Sequence, residues 1–211
     1  MGREEHWQGV KEQSSDTRTQ VQESLDSTTI ASNAVTTIIG IQESDGCIIA
    51  ADSRTTTEKG RPYAHPITTK ITKRGKFLIA GAGTTQPCDI VQHIWKPPAI
   101  PANTKDVYHF MITTVIPSMR ECLRDNGFVH DEKADEYEFL FLMAVNGTIY
   151  EVDDTYSVFL RDDGIYGLGS GSSYAIGAIA SGANWKKALQ IAAKNDVYTA
   201  PPFVVHRQEK K

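Results

Sequence analysis

The feature that most limits what this chain can become is a break in composition at residue 36. Residues 1–35 are rich in Ser, Thr, Gln and Glu, and their apolar side chains are too sparse and irregular to offset the entropy of ordering them. They read as a flexible N-terminal extension. Thr36-Thr37-Ile38-Ile39-Gly40-Ile41 then opens a β-branched run, Ser44-Asp45-Gly46 supplies turn formers, and Cys47-Ile48-Ile49-Ala50-Ala51-Asp52 follows. Two paired strands are the expected outcome, so a folded domain is expected over 36–211.

A chain of 211 residues with 40% hydrophobic composition supports one sizeable core rather than two. The formal net charge is -4: of 26 acidic and 22 basic residues, six and three precede residue 36, which leaves 20 against 19. There is no broad basic field, so nucleic acid is not an expected partner. Cys47, Cys88 and Cys122 are odd in number and lack C-x-x-C spacing, which argues against a disulfide framework and a structural zinc site, and fits a reducing cytoplasm. The histidines neither pair at i,i+4 nor cluster with cysteines, so no metal is expected. The start of the chain has no apolar leader, and no apolar run is long enough to span a bilayer; neither secretion nor a membrane is expected.

Downstream, a loop rich in Thr, Gly and Pro (55–69) leads to a third strand at 76–81, apolar nearly throughout and so expected to be covered on both faces. Helices are expected at 89–95 and 106–124. The second shows apolar positions three and four apart (Val107, Phe110, Met111, Val115, Met119, Leu123), a C-cap signal in Asn126-Gly127, and a kink at Pro117. Residues 137–145 and 148–153 read as a hairpin about Asn146-Gly147, with short strands at 157–160 and 165–168. Gly167-x-Gly169-x-Gly171 fails the dinucleotide pattern and reads as a tight turn into helices at 173–180 and 184–194, before a last strand at 203–206. The order lacks βαβ alternation. It suggests an α+β chain with antiparallel sheets and helices outside, which a four-layer αββα sandwich accommodates.

Periodicity stops there, and the residues go further. Thr36-Thr37-Ile38-Ile39-Gly40, Ala50-Ala51-Asp52-Ser53-Arg54, Thr69-Lys70-Ile71, Ile79-Ala80-Gly81, Gly169-Ser170-Gly171-Ser172 and Asn195-Asp196-Val197-Tyr198-Thr199 occur in this order. Together they resemble the proteasome β-subunit and the bacterial HslV peptidase, which are N-terminal-nucleophile hydrolases. The resemblance implies their αββα sandwich and a threonine endopeptidase that uses no cofactor. It makes Thr36 the nucleophile, exposed when residues 1–35 are removed as a propeptide. The freed α-amino group would be the base, since its ordinary pKa of about 8 is close to working pH. Lys70 is implied to lower the pKa of that amine and of the hydroxyl, and Asp52, sixteen positions after Thr36, to hold Lys70. Gly81 is implied to give the oxyanion N–H, its missing side chain letting substrate approach. Ser170, Asp196 and Thr199 would orient the terminal amine and a water.

By the same resemblance Ile79 forms the floor of the substrate pocket and Thr55 and Thr68 its walls, an uncharged site that accepts apolar side chains such as Leu. Polypeptide substrates would be cut inside stacked closed rings of this chain's own subunits, with the helices at 89–95 and 106–124 supplying apolar contact surface. Entry of folded substrates would need a separate ATP-dependent unfoldase ring, because this chain has no G-x-x-x-x-G-K-[ST] loop.

Taken singly, a strand-opening threonine, an aspartate and a lysine are ordinary; the joint placement of Thr36, Asp52 and Lys70 carries the reading. Val35 stands where self-processing precursors carry glycine, and a β-branched residue resists the bent backbone such a cut needs. The loop before Lys70 is longer than is usual in the family, which leaves Lys73 as the alternative lysine. Two other readings stand beside the peptidase: a catalytically silent ring subunit that keeps its extension, and a small-molecule amidase of the wider group.

Overall fold

The computed structural model describes residues 36–56, 62–64, 69–129 and 139–210. Its strands are β1 (Ile38–Gln42), β2 (Gly46–Ala51), β3 (Arg54–Thr56), β4 (Pro62–Ala64), β5 (Ile71–Arg74), β6 (Phe77–Gly83), β7 (Phe139–Val145), β8 (Thr148–Asp153), β9 (Val158–Phe159), β10 (Ile165–Leu168) and β11 (Val204–Glu209). Helix α1 is Thr85–Asp89 running on through a π-helical turn, Ile90–Ile94. Helix α2 joins Val107–Phe110, a π-helical stretch Met111–Val115 and Ile116–Asp125. Helices α3 (Ser172–Ala180) and α4 (Trp185–Asn195) follow β10. The strands form two antiparallel sheets, ordered β10-β1-β2-β11 and β5-β6-β7-β8-β9, with β3-β4 as a separate ribbon.

Alternation along the strands assigns each side chain to a core. Ile38, Cys47, Ile49 and Ala51 of the first sheet pack with Leu78, Ala80, Leu142, Ala144 and Ile149 of the second in one buried cluster. The opposite faces are apolar too, and each is covered by helices. Phe77, Ile79, Phe139, Phe141 and Met143 meet Ile90, Val91, Met111, Val115, Met119 and Leu123 from α1 and α2. Ile39, Ile48 and Ala50 meet Ala175, Ala188, Leu189 and Ala192 from α3 and α4. This is a mixed α and β fold with antiparallel sheets. No helix among the described residues is long and apolar enough to cross a membrane.

Most expected elements appear, with informative differences. Asp106 caps α2 by accepting from His109 N at 2.8 Å, and Gly127, at φ 81°, ends it with Phe128 N donating to Leu123 O at 3.0 Å. The irregularity expected at Pro117 is the π-helical stretch just before it, where the missing proline N–H breaks the bonding ladder. Asn146 (φ 50°) and Gly147 (φ 78°) make the β7–β8 turn. The segment expected as a loop holds β3 and β4, and β5 was not expected. Helix α1 begins at Thr85, earlier than expected, because Pro87 sits in its first turn, where the absent N–H costs nothing. The extension 1–35 with Val35, Thr68, and residues 137 and 138 of the expected hairpin lie outside the described residues.

Candidate active site

Thr36 and Thr37 enter β1 in an extended chain, so their side chains leave on opposite sides. Both are buried. The Thr36 hydroxyl donates to Asp52 Oδ1 at 3.0 Å and accepts from the Lys70 ammonium. The Thr37 hydroxyl instead shares a 2.5 Å hydrogen bond with that of Thr199.

Asp52 follows β2, and its backbone N–H donates to Thr37 O at 3.1 Å, which continues the β1–β2 pairing and delivers the carboxylate beside Thr36. That carboxylate is 1% exposed, a burial that a charge tolerates only when fully paired. Oδ1 also accepts from Thr37 N at 2.9 Å and Lys70 Nζ at 2.5 Å, and Oδ2 accepts from Arg54 N at 2.9 Å and Ala200 N at 3.1 Å. Lys70 lies just before β5. The β5–β6 ladder ends at Ile71↔Ala80, so Lys70 comes one step beyond it, near Gly81. Its carbonyl is fixed by Gln92 Nε2 at 3.1 Å. Burial pushes the Lys70 ammonium below the usual lysine range, against the opposing pull of Asp52 and Asp196, with Arg54 adding to the lowering. Lys73 is exposed on β5 opposite Leu78, so Lys70 is the lysine that meets Thr36.

On the other side of Thr36, Asp196 Oδ2 accepts from the hydroxyls of Ser170 at 3.0 Å and Thr199 at 2.5 Å. The turn after β10 closes this group on the nucleophile strand. Gly169, at φ 87°, packs so tightly that a Cβ would lie 2.2 Å from Thr36 O, and one on Gly171 would lie 2.1 Å from Thr37 Oγ1. Gly171 N donates to Thr36 O at 3.3 Å.

A cleft of about 130 Å³ opens beside Thr36, below the roughly 300–1,000 Å³ typical of cofactor- and drug-sized pockets, so it suits a single side chain. Thr36, Lys70, Thr55, Gly81, Gly83, Thr85, Cys88, Asp89, Gln92 and His93 are on its lining. One expectation is corrected here. Ile79 shares the face of β6 that carries Gly81 but is not on the lining: it is fully buried in the core against α1 and α2. Gly81 lines the cleft, and its missing side chain also answers to packing, since a Cβ would lie 2.7 Å from the Phe141 ring and 2.8 Å from Cys88 Sγ. Burial also pushes the Cys88 thiol up to about 12, with Asp89 adding to it, so Cys88 is a neutral wall and no nucleophile. Among the described residues no cluster of His, Cys, Asp and Glu could hold a metal ion.

The structure thus brings Thr36, Asp52, Lys70 and Gly81 together, and sets Ser170, Asp196 and Thr199 directly behind. Sequence reasoning missed Thr37, whose signal was its position across the strand from Thr36, and Asp89, whose signal was its place in the helix after Gly83. No protein-family model matches the chain, and no curated protein matches it. Solved structures do. A Thiobacillus denitrificans BPH, in complex with epoxomicin, superposes with TM-score 0.67 at 19% identity, covering 83% of this chain and 99% of that one. The eukaryotic HslV from Trypanosoma brucei gives 0.59 at 19%, covering 82% and 99%. The Anbu complex from Pseudomonas aeruginosa, a helical assembly, gives 0.57 at 14%, covering 82% and 81%. From residue 36 onward, then, this chain has the fold that the HslV, BPH and Anbu structures share.

Proposed function

We propose that this chain is a threonine-type endopeptidase subunit of a self-compartmentalising, proteasome-like complex, with Thr36 as its nucleophile. The observation that carries the reading is the Thr36 hydroxyl, held between a buried carboxylate and a lysine of lowered pKa on the wall of a side-chain-sized cleft. An ammonium in contact with Oγ1 favours the alkoxide character that attack requires. In the intact chain the Thr36 nitrogen is an amide and cannot take up a proton, so activity follows cleavage of the Val35–Thr36 bond. The freed amine then accepts the hydroxyl proton as Oγ1 bonds to the substrate carbonyl carbon. That proton passes to the departing amine, and a water attacks the ester to restore Thr36.

The oxyanion would be met by the free edge of β6. Beyond Ala80 this strand no longer pairs with β5, while β7 pairs with it as far as Gly83, so Gly81 to Gly83 present one side to the cleft. The Ser170, Asp196 and Thr199 group supports the terminal residue from behind. The three apolar clusters favour the αββα order of layers. Exposed Ile94, Tyr108 and Ile112 on α1 and α2 suit a ring contact. A cytoplasmic complex fed by a separate unfoldase ring completes the reading.

Full-length protein, purified and assayed on unstructured peptides, tests it. The active material should begin at Thr36 on N-terminal sequencing, assemble into closed rings by light scattering, and lose activity with epoxomicin. Full activity in protein retaining Met1 refutes the nucleophile. A monomer that hydrolyses short amides but no peptides replaces the peptidase with the amidase.

A further inference from the structure

We propose that the cleft beside Thr36 selects a positively charged side chain, arginine above all, at the residue whose carbonyl is attacked, and that Asp89 sets this preference. The proposal rests on the peptidase reading above and specifies its substrate class. It departs from the apolar preference expected of the sequence, because the apolar floor on which that expectation stood is absent from the cleft.

Charge bookkeeping across the cleft points to Asp89. The one ammonium on the cleft lining among the described residues, Lys70, is neutralised by Asp52 at 2.5 Å. Asp89 lines the same cleft, is exposed, and makes no side-chain hydrogen bond or ion pair among the described residues. Its negative charge is therefore left for whatever enters. The field reaches the neighbouring wall, where it joins burial in holding the Cys88 thiol neutral. Among the described residues the rest of the lining is mixed and small: Thr55, Thr85 and the backbone of Gly81 and Gly83 are polar or bare, and Ala82 and Cys88 add only short apolar side chains. Thr56, also on the lining, keeps a buried hydroxyl with no hydrogen-bond partner among the described residues. A guanidinium carries five donors in a fixed fork, so a carboxylate with adjoining hydroxyls suits it better than it suits the point charge of lysine. A leucine in the same place would leave Asp89 covered and unpaired, a cost that works against it.

His93 lies four residues after Asp89 on the same helix and also lines the cleft. No hydrogen bond joins its ring to Asp89 among the described residues, so the carboxylate is available.

The test is a fluorogenic peptide panel, differing only at the residue before the cut (Arg, Lys, Leu, Glu), hydrolysed by the processed wild-type complex. Arg should exceed Leu in kcat/KM by about tenfold, the scale of one charge pair covered by substrate, with Lys between and Glu last. Asp89→Asn should cut the Arg to Leu ratio by about tenfold, and Asp89→Lys should reverse the order of Arg and Glu. Should those variants fail to fold, wild-type protein still decides: a peptide aldehyde ending in arginine should inhibit hydrolysis of a neutral substrate better than one ending in leucine. Cleavage with Leu equal to or ahead of Arg, or an unchanged ratio in folded Asp89→Asn, overturns this proposal and leaves the peptidase standing. Hydrolysis of no peptide by protein that begins at Thr36 removes both.

Discussion

The two sides of Thr36 are built from different materials. Toward the second sheet stand a buried carboxylate and an ammonium in contact with the Thr36 hydroxyl. Toward α3 and α4, Thr37, Thr199, Asp196 and Ser170 form a chain of hydroxyls ending on one carboxylate. The first side can move a proton equilibrium, because a charge lies against the reacting oxygen. The second meets Thr36 only through backbone, at Gly169 and Gly171, and can only hold it in place. Chemistry and positioning are thus divided between the faces of one extended segment.

Removing one residue at a time sharpens that division. Asp52→Ala should have the largest effect, since it strands Lys70 and leaves the donors of Thr36, Thr37, Arg54 and Ala200 without an acceptor. Breaking a buried ion pair from one side costs about 3–5 kcal/mol, which thermal or urea unfolding will read. A variant as stable as wild type would mean that the two sides are equally dispensable to the fold. Lys70→Ala should lower kcat by about 100-fold or more while changing stability less, as expected for an electrostatic group at the reacting atom. Unchanged turnover in an assembled complex would erase the distinction between the sides.

Thr199→Val should show the converse pattern. It leaves the Thr37 hydroxyl and one Asp196 contact unpaired, for about 1–3 kcal/mol of stability, with a smaller loss of rate than Lys70→Ala. A larger rate loss would assign chemistry to this side as well. The smallest effect concerns pH. Lys70 is held below the ordinary lysine range when folded, so between its folded value and about 10.5 the unfolded chain binds the extra proton and stability must rise with pH. Unfolding of wild type and Lys70→Met, compared from pH 7 to 10, should show wild type gaining relative to the variant. A relative loss would mean that Asp52 outweighs the burial.

The positioning side was the easier to see in the sequence. Gly169 to Gly171 and Asn195 to Thr199 are turn and helix-end residues whose placement follows from where β10 and α4 stop. Asp52 was legible as the polar end of an apolar strand. The cleft was not. Ile79 was placed in the pocket by resemblance alone; the residues of β6, FLIAGAG, include no polar side chain to show how deep along its face the cleft reaches. β5 escaped notice because only Ile71 of Ile71–Arg74 is buried, a signal too thin for a strand. Asp89 looked like the start of a helix; only the fold reveals that this helix passes the nucleophile.

The short partner of β6 has one more consequence. β5 covers β6 only as far as Ala80, and a strand edge with unpaired N–H and C=O groups is a place where a stray extended chain can adhere and begin an aggregate. Here the bare stretch is only Gly81 to Gly83, and it ends at a glycine with φ 110°, where the pleat cannot continue. An intruding segment could gain a few ladder bonds but could not extend them along the sheet, so the opening is self-limiting. Lengthening it, for instance by a Gly83 replacement that favours extended backbone, should make the protein more prone to precipitate as it folds.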